Sequence, residues 1–278
     1  MKFDAQIGNP PYNPNKEEKK SGHITTNLWS KFVDNALSNL NDGGHLLYVH
    51  PPLWRKPEHA LLRTICKGNN IKYIRIFDQK ESKKDLNFPV KVDYYCVQKN
   101  TPQLIDTKVK VCEKEYEINA SKLAFIPNGN FEDVYKVFTD KVETNIFYNC
   151  DYHHYTQGNT GRVSPTESES HKYKVLYLAS KNGYNYHYAN VKISPHFDTP
   201  KIIVPMGRFD PILDIKGEVG MCEVAFAILG NEEYLKNVYN AFKTEKFKSM
   251  LNSCKWKVMQ LDYKLFKYLK KDFYKEFL

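Results

Sequence analysis

Twice within its first 52 residues the sequence runs an apolar strand into a pair of prolines, as "FDAQIGNPPYN" from Phe3 and as "HLLYVHPPLW" from His45. Two consecutive prolines fix two φ angles and remove two N–H donors, so neither backbone can extend a ladder or continue into a helix interior. Both strands must therefore stop at a rim of the fold. In the first, Phe3, Ala5 and Ile7 alternate with Asp4 and Gln6, a short period-2 strand. Gly8 to Tyr12 then forms a rigid knot. Either its carbonyls and the Asn9 amide stay free to bind something, or it is a plain strand-to-helix turn. The second strand is nearly continuous in apolar residues from Leu46 to Val49, as expected of a strand buried on both faces of a parallel sheet.

Around these stops helices and strands alternate. In "TTNLWSKFVDNALSNLNDGG" the residues Leu28, Phe32, Val33, Ala36, Leu37 and Leu40 recur at helical spacing, Thr25 or Thr26 caps the start, and Gly43-Gly44 ends it. "PEHALLRTICKGNN" reads as a second helix, and "IKYIRIFD" and "VDYYCVQKN" as further strands. This order predicts an α/β layer of about four mainly parallel strands. From "TPQLIDTK" at Thr101 onward the alternation is lost, which places a boundary near residue 105. A mixed α+β region follows, with strands and turns in "HFDTPKIIVPMGRFDPILDIKGEVGM". A helical tail begins near Asn231, carrying Leu235, Val238, Phe242, Met250 and Leu251 on one face, and a further helix covers about 263–273. The predicted domains are 1–105 and 106–278.

Composition narrows the class. Hydrophobic residues make up 41% of the 278, enough for a real core. No run of about 18 apolar residues occurs, nor a basic segment leading into an apolar one, so the expectation is a soluble, cytoplasmic chain without membrane contact. Six cysteines are scattered without any Cys-x-x-Cys, which reads as reduced thiols and no metal site. The net charge of +9 suits a polyanionic partner. Twenty Tyr, sixteen Phe and three Trp suit base stacking, though most are expected in the core.

Taken together, "FDAQIGNPPYN", "LWSKFVDNAL", "GGHLLYVHPPLW", "IKYIRIFD" and "VDYYCVQKN" resemble the catalytic half of gamma-class N6-adenine DNA amino-methyltransferases of type II restriction-modification systems. "KIIVPMGRF" and "FKSMLNS" look similar to pieces of that family's target-recognition region. The resemblance implies a partial Rossmann-like methyltransferase sheet, S-adenosylmethionine as cofactor and double-stranded DNA as partner. It implies that Asn9 and Pro10 grip the amine of a flipped adenine, that Pro11 and Tyr12 complete the pocket with Tyr12 stacking on the base, and that Gly8 and Asn9 face the cofactor. Trp54 reads either as a cleft-lining residue or as core. Lys16, with Lys19 and Lys20, reads either as a phosphate contact or as solvated surface. Arg162, Lys172, Lys174 and Arg208 are the candidate recognition-region cations.

One part of the pattern is missing. The family's cofactor turn needs glycine, because only a residue without Cβ permits its dihedrals and the close approach of backbone to ligand. No Gly-x-Gly occurs in the sequence, and "KGEVGM" follows no evident strand. The expectation is that the sequence opens inside a methyltransferase domain and that a second polypeptide supplies the cofactor-binding half. Two other classes stay open: a non-catalytic DNA-binding or specificity subunit, and a methyltransferase acting on protein glutamine or RNA.

Overall fold

A computed structural model describes residues 2–12, 28–66, 68–87, 89–152, 161–180, 182–208, 210–257 and 260–278. Lys16, Lys19, Lys20, Thr25 and Thr26 lie outside the described residues. The chain divides into two compact units, Met1–Phe131 and Glu132–Leu278.

The first unit is built on one sheet. Its elements are β1 (Phe3–Gly8), α1 (Leu28–Ser38), β2 (Leu40–His50), α2 (Ala60–Cys66), β3 (Asn70–Phe77), α3 (Gln79–Leu86), β4 (Val92–Gln98), β5 (Thr107–Val111) and β6 (Lys114–Ile118). The strand order is β1-β2-β4-β3-β5-β6. β1 runs parallel to β2 and β3 parallel to β5, whereas β4 is antiparallel to both β2 and β3, and β6 to β5. The sheet is therefore mixed, not mainly parallel. β5 and β6 extend it past residue 105, so the compact unit runs on to Phe131.

Register fixes the two faces. Leu46, Tyr48 and His50 point with Tyr95 and Val97 toward a buried side that also holds Trp29, Val33, Leu61, Leu62 and Ile65 of α1 and α2. The opposite side carries Ile7 beside Leu47, and Leu47 beside Cys96. Here Phe3, Ile7, Leu47 and Tyr94 are exposed, Ile7 at 81%. β1 is the edge strand, pairing among the described strands only with β2.

α1 ends at Ser38, earlier than the Gly43-Gly44 stop its sequence suggests. The Phe3 N–H donates to Asn39 O, and parallel pairing with β1 begins at Leu40, which takes the glycines into β2. A Cβ on Gly44 would stand 3.1 Å from Asp4 O and 3.2 Å from Phe3 O, so glycine there lets the edge strand close on β2.

The second unit holds two four-stranded sheets, with elements α4 (Phe131–Val137), β7 (Ile146–Phe147), β8 (Val163–Ser164), β9 (Tyr173–Ser180), β10 (Gly183–Ala189), β11 (Lys201–Pro205), β12 (Ile212–Asp214), β13 (Gly220–Met221), β14 (Ala225–Leu229), α5 (Glu232–Lys243), α6 (Glu245–Asn252) and α7 (Tyr263–Phe266). The sheets are ordered β13-β9-β10-β8 and β12-β11-β14-β7, and all pairings but β13 with β9 are antiparallel. Leu176, Ile203, Met221, Ala225 and Ala227 pack the two sheets together. The apolar stripe read from the sequence is buried as Leu235, Val238 and Phe242 of α5 and Met250 and Leu251 of α6. The last helix is only four residues long, a turn where the sequence suggested eleven.

Candidate active site

β1 and β2 run side by side, so their carboxyl ends bring the two Pro-Pro turns to one rim of the sheet, the position where open α/β sheets bind ligands. Asn9 is exposed, Pro10 buried, Pro11 exposed and Tyr12 half-buried. Pro10 thus anchors a turn from which the Asn9 amide projects. The Tyr12 hydroxyl is occluded and has no hydrogen-bond partner among the described residues, and burial raises its pKa. What this rim can do chemically is accept hydrogen bonds, through the Asn9 side-chain oxygen and the turn's carbonyls, beside an aromatic ring.

Gly8 pairs in register with Tyr48, and a Cβ added to Gly8 would stand 2.9 Å from Tyr48 Cε1. Tyr48 pairs in register with Tyr95, which belongs to a buried aromatic and polar network. The Pro51 carbonyl can only accept, so His50 donates its Nδ1–H to it at 3.0 Å, and His50 Nε2 accepts from the Tyr95 hydroxyl at 2.8 Å. Trp29 stacks on the imidazole with ring centroids 4.3 Å apart. Burial holds the His50 pKa down to about 4, reinforced by the nearby His59 and Arg55 charges, and pushes that of Tyr95 well above its ordinary value.

The second Pro-Pro opens a 3-10 turn, Pro52–Arg55. Trp54 is fully buried and donates its indole N–H to Asp93 Oδ2 at 2.8 Å. No face is left for a substrate, so Trp54 is core and the cleft-lining expectation is corrected. Arg55 binds the same carboxylate with Nε at 2.6 Å and Nη2 at 3.0 Å, and spends its other donors on the carbonyls of Ile126 and Pro127 and on Asn128 Oδ1. Sequence reasoning missed Tyr48, His50, Arg55 and Asp93. The one signal available was Gly8, a glycine placed in a strand where no turn required it.

The expected cations of the second unit divide. Lys172 and Lys174 are exposed, with Lys174 Nζ 4.0 Å from the centroid of the Tyr186 ring and Lys172 Nζ 5.6 Å from that of Tyr173. Arg162 donates to the Asp151 carbonyl at 2.8 Å, and Arg208 binds Ser180 O and Asp210. Both arginines tie loops within the unit and are half-buried, whereas the two lysines are exposed.

Glycine-rich "KGEVGM" does follow a strand, β12, contrary to its reading in sequence. Its Glu218 and Val219 N–H groups donate to Asp214, which also binds Lys201 at 2.6 Å, so these amides are spent and do not cradle a ligand. Among the described residues, Asp78, Glu81 and Cys112 come within metal-binding reach of one another. Asp78 and Glu81 form the capping box of α3, and Glu81 pairs with Arg75, which accounts for both carboxylates.

The site is thus an acceptor-bearing turn on the carboxyl rim of a mixed α/β sheet. Residues 1–84, which contain it, match the model of the Eco57I restriction-modification methylase family. No curated protein matches the sequence. Among solved structures, the M protein of the type I restriction enzyme EcoKI is 17% identical, over 39% of this chain and 25% of that one, with a TM-score of 0.30. The type IIL restriction-modification enzyme MmeI, solved in complex with DNA, is 10% identical over 86% of this chain and 42% of its own, with a TM-score of 0.46. The type IIG restriction endonuclease BpuSI is 8% identical over 94% and 45%, with a TM-score of 0.33. The chain therefore spans between a quarter and just under half the length of these proteins.

Proposed function

We propose that this chain is the catalytic and recognition part of an S-adenosylmethionine-dependent DNA methyltransferase that modifies N6 of a flipped adenine. In this reading the cofactor-binding half lies on polypeptide outside these 278 residues. The observation that carries it is the exposed Asn9 set on a buried Pro10 at the end of β1, inside the segment that matches a methylase family.

The exocyclic amine of adenine gives its lone pair to the ring and is a poor nucleophile. Asn9 Oδ1 and the Pro10 carbonyl each accept one of its N–H bonds, which draws the nitrogen out of conjugation and turns its lone pair outward. Acceptors fixed in advance cost no reorganisation at the moment of reaction, and orientation of this kind is worth about 7–11 kcal/mol. Swinging the base out of the duplex costs a few kcal/mol, and stacking on Tyr12 returns about 1–3 of it. S-adenosylmethionine, when bound, supplies the electrophilic methyl group. The described residues offer acceptors for the amine but no glycine cradle for the cofactor. Among the described strands β1 has no partner on its outer edge, and this with its exposed Phe3 and Ile7 supports a covering polypeptide, since such an edge is rarely left unprotected. The second unit, with exposed Lys172 and Lys174, is assigned to duplex contact.

The test is mass spectrometry of DNA from cells expressing the protein with its native neighbouring reading frames. Wild type yields N6-methyladenine, and Asn9→Ala lowers the initial rate about 10²–10³-fold, the range for loss of one preorganised group. Methyl transfer to glutamine or RNA in place of DNA, or full activity in Asn9→Ala, defeats the reading. Calorimetry on the 278-residue chain alone gives weak or no binding of S-adenosylmethionine, whereas tight binding defeats the external cofactor half.

A further inference from the structure

Gly8 stands immediately before the proposed amine-binding Asn9, and its φ lies outside the left-handed region, so conformational freedom is not what the position demands. Space is. A Cβ built there would stand 2.9 Å from Tyr48 Cε1, 3.3 Å from Cζ and 3.5 Å from Cδ1, all atoms of one ring. Carbon atoms at rest sit about 3.5–4.0 Å apart, so an alanine at this position must displace something. The atom in the way is the Tyr48 ring itself, which must turn aside for the methyl to fit. Tyr48 is buried, its backbone is paired to Gly8 on one side and to Tyr95 on the other, and Tyr95 is itself fully buried and bonded to His50.

From this we infer that Tyr48 is a positioning residue of the amine-binding turn: its ring is the floor on which Gly8 rests, and it sets where the Asn9 side chain stands. Asn9 is exposed and Pro10 buried, so the turn is held from below and the amide takes its height from what lies under Gly8. Glycine at position 8 is then a requirement of Tyr48, and not of the cofactor that the sequence resemblance had assigned to it. The inference rests on the reading of Asn9 given above. It matters for rate because a reacting group misplaced by about 1 Å can lose on the order of 10²-fold.

The experiment is a double-mutant cycle on the active assembly, with kcat and the KM for both DNA and S-adenosylmethionine measured for Gly8→Ala, Tyr48→Leu and the pair, and Asn9→Ala as reference. Gly8→Ala lowers kcat about 10- to 100-fold and leaves both KM values within about twofold. The pair recovers at least about tenfold of that loss, because leucine vacates the space the new methyl needs. Wild-type kcat in Gly8→Ala overturns the inference. So does a raised KM for S-adenosylmethionine that Tyr48→Leu does not relieve, which would return Gly8 to the cofactor. Full activity in Asn9→Ala defeats the reading of the turn instead. Thermal unfolding of the same variants of the 278-residue chain tests the packing without any activity: the midpoint falls in Gly8→Ala and recovers in the pair, and strictly additive midpoints count against Tyr48.

Discussion

Two aromatic residues follow Pro-Pro pairs on neighbouring strands, and their surroundings give them opposite work. Trp54 is enclosed, with its indole N–H committed to Asp93. Tyr12 is half open at the rim, one residue beyond an exposed proline. On the proposed function, replacing Tyr12 by Ala removes a stacking surface worth about 1–3 kcal/mol, so kcat/KM for duplex DNA is expected to fall roughly 10- to 100-fold while Tyr12→Phe stays near wild type. Trp54→Phe behaves the other way. It deprives a buried carboxylate of a donor and costs about 1–3 kcal/mol in urea unfolding, with KM for DNA unchanged. Steady-state kinetics paired with unfolding curves reads both effects, and an unfolding loss in Tyr12→Ala as large as that of Trp54→Phe would contradict the division. Nothing in the tripeptides around these residues separates them. Trp54 is core because Asp93, carried by a strand far along the chain, comes to meet it, and a local pattern does not contain that meeting.

At the scale of elements, strand existence was legible and strand direction was not. β1, β2, β3 and β4 all follow from alternation or apolar runs, but period-2 alternation looks the same in a parallel and an antiparallel neighbour. β4 lies between β2 and β3 and opposes both, and what fixes it there is tertiary. Arg55 ties Asp93 of β4 to the turn after β2 and to the carbonyls of Ile126 and Pro127, closing three segments on one guanidinium. Burial pushes the Asp93 carboxyl above its usual range and Arg55 opposes that rise, which is the condition of a charge held by its partner. Asp93→Asn leaves a buried guanidinium without a counter-charge and lowers stability by about 3–5 kcal/mol. The double change Arg55→Leu with Asp93→Leu does not restore it, because the two carbonyls then lose their donor. Chemical denaturation of the three chains checks this, and a double variant as stable as wild type would show that the carbonyl bonds contribute little.

At the scale of the molecule, each unit carries one buried neutral histidine among the described residues, and neither could be singled out in the sequence because burial comes from the fold. His50 sits under Trp29 in the first unit. His196 in the second accepts from the Met221 N–H at 3.4 Å, while its Nε2 lies 3.3 Å from Asp151 but off the axis of a hydrogen bond. Burial lowers both pKa values to about 4 from an ordinary 6.5, against the pull of Asp151 in the case of His196. Between those limits the unfolded chain takes up protons that the folded chain refuses. The stability held by each neutral imidazole is therefore fully present above about pH 6.5 and is lost as pH falls toward 4, by up to about 3 kcal/mol per histidine. Melting curves at pH 7, 6 and 5 show falling midpoints as a result. His50→Phe keeps an aromatic ring against Trp29, removes the titrating group and flattens the acid limb of the first unit alone, whereas an unchanged limb in that variant would place the acid sensitivity elsewhere. Protonating His50 turns its Nε2 from an acceptor into a donor facing the hydroxyl of Tyr95, the residue paired in register with Tyr48, so on the positioning role inferred for Tyr48 the acid limb reaches the amine-binding turn as well.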